Sequence, residues 1–151
     1  MKRALFMFTM AMMMATTVFA QKEYTNAQRS LRDNIMSYIR AEGYQPSIDS
    51  DGDIKFKAQG DTYFVIVSDK DTSPMYVRLA KYFSYNDTFT RNKINLYAAE
   101  INRYKMCKLM ANDNSFVLDC ELYLTNSTAF TSIFSKMMDI LHDAEEELTE
   151  M

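Results

Sequence analysis

Four groups of residues in this chain carry side chains capable of chemistry, and each implies a different kind. Asp49-Ser50-Asp51-Gly52-Asp53 sets three carboxylates within five residues, the opening of a calcium-binding EF loop. The continuation does not suit that loop: Ile54 stands at its sixth position, where glycine makes the sharp turn, and Gly60 at its twelfth, where a bidentate glutamate closes the cage. A surface hairpin turn accounts for the segment, and no metal is expected. His142 is the only histidine, so any Ser–His–Asp or Cys–His site would rest on it alone. It falls late in an expected helix beside Leu141 and reads as a solvated residue. No GxSxG elbow, zinc-ligand spacing or glycine-rich phosphate loop is present. Asp69 and Asp71 pair two carboxylates in an expected loop with no cleft. The chain is read as non-enzymatic and without a cofactor.

The fourth group is Cys107 and Cys120. If a hairpin closes about Asp113-Asn114, residues whose numbers sum to 227 face each other, which opposes Cys107 to Cys120. The same register sets Leu109 against Leu118 and Ala111 against Phe116, all on one face. A slip of one residue would send the two cysteines to opposite faces. Two readings stay open, a disulfide in an oxidising compartment or two small buried thiols. Both are structural, because the spacing is not CxxC and no histidine is close enough in sequence to activate a thiolate.

These residues need elements to position them. Thr25 and Gln28 have capping-box spacing, and Leu31, Ile35, Tyr38 and Ile39 recur at helical period, so a helix is expected over 26–42 with Gly43 ending it. The period then changes to two. Strands are expected at 44–48, along Ile54, Phe56 and Ala58, and centrally at 63–67; a loop at 69–74 separates these from a strand over 75–85. Asp51-Gly52 and Gly60-Asp61 supply turns. A second helix, capped by Asp87 or Thr88, runs to about Tyr104 with Ile94, Tyr97, Ala98 and Ile101 on its buried side. Strands at 105–111 and 116–124 follow, then a last helix from Asn126 or Ser127. Asn86-Asp87-Thr88 and Asn126-Ser127-Thr128 match the glycosylation sequon but read as helix N-caps. Phe130, Phe134, Met137, Leu141, Ala144 and Leu148 form a heptad-like seam on the last helix, either the side packed on the sheet or a homodimer seam. Glu145, Glu146, Glu147 and Glu150 crowd its C-terminal end, where the helix dipole disfavours anions, so fraying is expected there. The fold class is α+β: an antiparallel sheet of five to six strands flanked by three helices, in the order α-β-β-β(-β)-α-β-β-α.

Lys2 and Arg3 precede an apolar run from Ala4 to Met14, and small residues stand at Val18 and Ala20, the pattern of a secretory signal peptide cut before Gln21. The run is too short to span a membrane, and no later segment is long enough. A periplasmic or secreted protein is therefore expected, forming one domain over 21–151. That part carries 15 basic side chains (17 less Lys2 and Arg3) against 20 acidic ones, a net charge of −5. Such a balance argues against nucleic acid and gives no polybasic patch for anionic lipid.

Gly43-Tyr44, the run Asp49-Ser50-Asp51-Gly52-Asp53 leading into Ile54-Lys55-Phe56, then Glu100-Ile101-Asn102-Arg103 within 95–108, and Val117-Leu118-Asp119-Cys120-Glu121-Leu122 together resemble YbjN-type domains, bacterial sensory transduction regulators, over about 43–124. The resemblance implies a helix-flanked antiparallel sheet similar in fold to type III secretion chaperones, which bind extended protein segments, often as dimers. It brings no catalytic residues. Those chaperones are cytosolic, whereas this chain opens with a leader. Asn102 is the polar residue of the motif to watch, with its amide capping the helix end or pinning the hairpin. The reading that follows is an exported module binding protein or peptide through a sheet edge or face, with Tyr82 and Tyr85 contributing contacts. The alternative is a structural envelope protein that dimerises along Phe130, Phe134, Met137 and Leu141.

Overall fold

The computed structural model describes residues 22–151; the expected signal peptide and its cleavage site before Gln21 lie outside the described residues. The chain forms α1 (Asn26–Ala41), β1 (Ser47–Ile48), β2 (Ile54–Ala58), β3 (Asp61–Thr72), β4 (Met75–Ser84), α2 (Arg91–Ile101), β5 (Cys107–Ala111), β6 (Ser115–Leu124), a 3-10 turn (Ala129–Ser132) and α3 (Phe134–Glu150). The six strands make one sheet in the order β1-β2-β3-β4-β6-β5, antiparallel throughout. The fold is α+β, with the element order expected from the sequence.

Local chemistry fixes both ends of α1. Thr25 Oγ1 accepts from the Gln28 N–H, and Gln28 Oε1 accepts from the Thr25 N–H at 2.7 Å. The fully buried Gln28 also donates through Nε2 to the carbonyls of Ser68 (2.7 Å) and Asp71 (3.1 Å), so the cap ties the helix to the sheet. At the other end Gly43 takes φ +91°, a left-handed conformation that costs glycine nothing. The Tyr44 N–H then reaches the Ile39 carbonyl and the Gly43 N–H the Arg40 carbonyl, a full Schellman closure. Gln59 and Gly60 both have positive φ and close the β2–β3 hairpin as a two-residue turn, one residue earlier than expected.

Alternation along the strands decides which side carries the core. Ile54 and Phe56, Val65 and Val67, Val77 and Leu79, Leu109, and Leu118 and Cys120 point one way. They meet Leu31, Ile35 and Ile39 of α1, Ile94 and Ile101 of α2, and Phe134, Met137 and Leu141 of α3 in a single buried cluster. The three helices therefore cover one side of the sheet, and residues of opposite parity form the other.

Several boundaries differ from expectation for identifiable reasons. β1 shrinks to two residues because Pro46 has no N–H to pair. β3 runs on to Thr72 through a register shift after Val67, with only Ser73-Pro74 before β4, so Asp69 and Asp71 lie in a strand instead of a loop. Asn86 makes a turn of its own, accepting from the Thr88 and Phe89 N–H groups, and Thr90 caps α2. α2 stops at Ile101, and Met106 at φ +69° redirects the chain into β5. Asn126 closes another such turn onto Thr128, so α3 begins only at Phe134. Its acidic end does not fray in the structure: Glu145 pairs with Lys81 at 2.5 Å, Glu147 accepts from the Tyr104 hydroxyl, and the helix reaches Glu150. No helix among the described residues is long and apolar enough to cross a membrane.

Candidate functional site

The side of the sheet away from the helices has the makings of a site. The strand registers place Lys55, Phe64, Ala80, Asp119 and Lys108 in one row across five strands. Ile66, Arg78 and Glu121 form the next row on one flank, and Tyr82, Val117 and Met110 the row on the other. Aromatic rings pair on this face: Phe64 and Tyr82 edge to face at 5.5 Å, Tyr76 and Tyr123 tilted at 5.1 Å. Tyr82 is 43% and Tyr123 61% exposed, so their rings are available to a partner.

A charged pair sits at the centre of this face. Arg78 donates through Nε (2.8 Å) and through its terminal nitrogen to Asp119 Oδ2, while Asp119 Oδ1 is buried without a partner. Asp119 is fully buried, whereas the Arg78 side chain keeps 21% exposure. That asymmetry explains their protonation behaviour. Burial pushes the Asp119 carboxyl above its ordinary value despite the pull of Arg78. Burial alone would lower Arg78, but its hydrogen bond to Asp119 outweighs this and holds the guanidinium charged. Glu121 beside them shows the opposite balance. Burial would raise it, but hydrogen bonds from Lys108 and the Tyr76 hydroxyl hold it below the usual carboxylate range. The Tyr76 hydroxyl is itself pushed up, by burial and then by that bond. Lys55, which lies over the Phe64 ring, and its neighbour Lys57 are exposed and make no ion pair among the described residues.

The sheet edges are less inviting. The Glu121 N–H donates to the Met106 carbonyl at 3.0 Å, which makes 106/121 a hydrogen-bonded pair and turns the Cys107 and Leu109 N–H groups outward. Both are already used. Asn102 Oδ1 accepts from Leu109 at 2.6 Å and the Tyr104 carbonyl from Cys107 at 3.3 Å, so Asn102 both ends α2 and pins the hairpin. At the far edge β1 has only two residues.

The residues singled out by the sequence fall in different places. Tyr82 is on the uncovered face. Tyr85 is not: it sits half-buried on the helix side against Phe116 (5.7 Å), with its hydroxyl donating to the Asn112 carbonyl at 2.8 Å. The residues of the expected dimer seam are buried within the chain. Phe130, Phe134, Met137 and Leu141 are at most 2% exposed because α3 lays them on its own sheet. A homodimer along that seam would require α3 to undock. Cys107 and Cys120 face each other in the expected register as buried free thiols. Asp49 Oδ1 accepts from the Asp51 and Asp53 N–H groups, and Asp53 pairs with Lys22 at 2.5 Å, so this acidic run is occupied in holding its own turn. His142 is exposed, 3.5 Å from Glu146. Asp71 accepts from Ser68 Oγ at 2.7 Å inside the irregular part of β3. An open polar cleft of about 1110 Å³ lies between α1 and the 49–53 turn, but its arginines are bound internally, Arg29 to the Tyr24 carbonyl and Arg32 to that of Gly52.

No family model and no curated protein matches this chain. Among solved structures it is similar to the crystal structure of an uncharacterized protein from Methanothermobacter thermautotrophicus, with a TM-score of 0.58 and 9% identity over 80% of this chain and 95% of that one. Identity that low speaks for a shared fold alone. None of these comparisons supports the expected resemblance to YbjN-type domains.

Proposed function

We propose that this protein is a non-catalytic, exported binding module of the YbjN-like kind whose uncovered sheet face docks a protein segment bearing acidic and aromatic or aliphatic side chains. The observation that carries the reading is the make-up of that face: exposed rings at Tyr82 and Tyr123, and two unpaired lysines, Lys55 and Lys57, around a fixed Arg78–Asp119 centre. Rings supply contact area at small entropic cost, and unpaired cations select an acidic partner and speed its approach. The face is favoured over the edge because the outward N–H groups of Cys107 and Leu109 already have acceptors. A protein partner is favoured over nucleic acid because the chain is acidic overall and Arg78 and Lys108 are neutralised by Asp119 and Glu121.

A photo-crosslinking residue at Tyr82, with Leu96 on the exposed side of α2 as control, tests this in the intact source cells. The reading expects a partner captured from position 82 and not from 96. It also expects capture to fall at least tenfold in Lys55→Glu/Lys57→Glu and at high salt. Equal capture from both positions, or capture indifferent to the two lysines, would sink it.

A further inference from the structure

We propose that Cys107 and Cys120 are joined by a disulfide that ties the edge strand β5 to β6 and is made before α3 closes over it. The backbone pairing carries the argument. Hydrogen bonds from the Glu121 N–H to the Met106 carbonyl (3.0 Å) and from the Asn112 N–H to the Ser115 carbonyl (2.8 Å) mark 106/121 and 112/115 as bonded pairs. With a period of two, 108/119 and 110/117 are bonded as well, and Cys107/Cys120 falls at a non-bonded position. Such positions bring opposite Cα atoms to about 4.5 Å, inside the range of about 4.4–6.8 Å that a disulfide spans. The register sets the two side chains on the same face of adjacent strands, directly opposite each other.

Burial sets when the bond can form. Cys107 is 3% exposed and Cys120 fully buried, with its sulfur 3.7 Å from the Met137 carbonyl of α3. Once α3 has docked, no oxidant reaches the sulfurs, and the hydrogen bond with Cys107 together with burial keeps the Cys120 thiol protonated. The hairpin alone leaves both accessible. There one cysteine thiolate attacks an external disulfide and releases a thiolate. The second cysteine then displaces the other half from the mixed disulfide, so that two protons leave the protein and the external disulfide is reduced to two thiols. The finished bond lies under α3, protected from reductant. It secures a five-residue edge strand whose Lys108 and Met110 border the uncovered face.

The test is the full chain, denatured and reduced, refolded in a mixture of reduced and oxidised glutathione, then unfolded and alkylated for mass spectrometry. The expected product is a monomer lighter by two hydrogens, with no alkylated cysteine and one crosslinked peptide joining 107 to 120. Its thermal midpoint is expected to lie several degrees above that of chain refolded in reductant. Two alkylated cysteines in refolded protein, a glutathione adduct, or a crosslink between chains would each overturn the proposal. None of these outcomes depends on partner binding or on the protein's location, so failure here leaves the binding reading untouched.

Discussion

Replacing Arg78 with leucine removes the only ion-pair partner, among the described residues, of a carboxylate that has no exposure to water. Breaking a buried pair in this way costs about 3–5 kcal/mol, because the charge left behind has neither solvent nor counter-charge. A domain of this size has a total stability of about 5–15 kcal/mol, and the loss corresponds to a fall of roughly 10–20 °C in Tm. The pH dependence makes the prediction specific. Asp119 has a folded-state value above its unfolded 3.8, so stability from its protonation is fully present below the unfolded value and lost as pH rises through the folded one. Without Arg78 the penalty on the ionised form is larger, so the gap between the variant and the parent widens with rising pH and narrows in acid. Urea unfolding followed by tyrosine fluorescence reads this directly, since the chain has ten tyrosines and no tryptophan. A cost below about 1 kcal/mol at neutral pH, or one that stays flat between pH 5 and 8, would refute the account of a desolvated carboxylate held by Arg78.

Three further outcomes follow from the packing. Leu141→Ala is expected to cost about 2–5 kcal/mol and Leu141→Asp to abolish folding, read by circular dichroism and gel filtration; a folded monomer released from a dimer would restore the seam reading. Asn102→Ala leaves the outward Leu109 N–H without its acceptor and is expected to cost about 1–3 kcal/mol, with faster hydrogen exchange at the Leu109 amide. Burial alone would lower Lys81, but Asp61 and Glu145 outweigh it and hold the ammonium above its usual value of 10.5, so this stabilisation is complete below that pH and fades above it. Lys81→Met should therefore flatten the alkaline limb of the stability–pH curve, and an unchanged limb would remove the triad from the account.

What the sequence disclosed was local. Thr25, Gln28 and Gly43 bound α1 through contacts within six residues, and the alternation from Phe116 to Leu124 fixed the cysteine register. The misses came from longer-range terms. Nothing near Asp69 signals that Gln28, some forty residues upstream in the chain, bonds the backbone there and keeps β3 running. Glu145 and Glu147 look like a fraying end until Lys81 and Tyr104 arrive from other elements. Tyr82 and Tyr85 look alike in the sequence, yet an odd spacing of three along an extended segment sends them to opposite sides. The uncovered face was legible only in part, since Lys55, Arg78 and Asp119 alternate with core residues, but the order β2-β3-β4-β6 that sets them side by side is a tertiary fact.

The Arg78–Asp119 pair also bears on what the face avoids. Phe64, Ile66, Tyr82 and Val117 surround it, and with leucine at 78 and 119 they would form a continuous apolar sheet surface like the inner face of a sandwich. Exchanging a buried ion pair for well-packed apolar residues is often neutral or stabilising, so its presence is not explained by stability alone. A second copy meeting this face would have to strip water from Arg78 and set Lys55 and Lys57 against charges of their own sign, which disfavours a self-pair while leaving an acidic partner favoured. The double variant Arg78→Leu/Asp119→Leu is therefore expected to recover most of the stability lost in Arg78→Leu and to self-associate with rising concentration in sedimentation, where the parent chain does so less. A double variant as stable as the parent and no more associated would show that the pair does not guard the face against self-association.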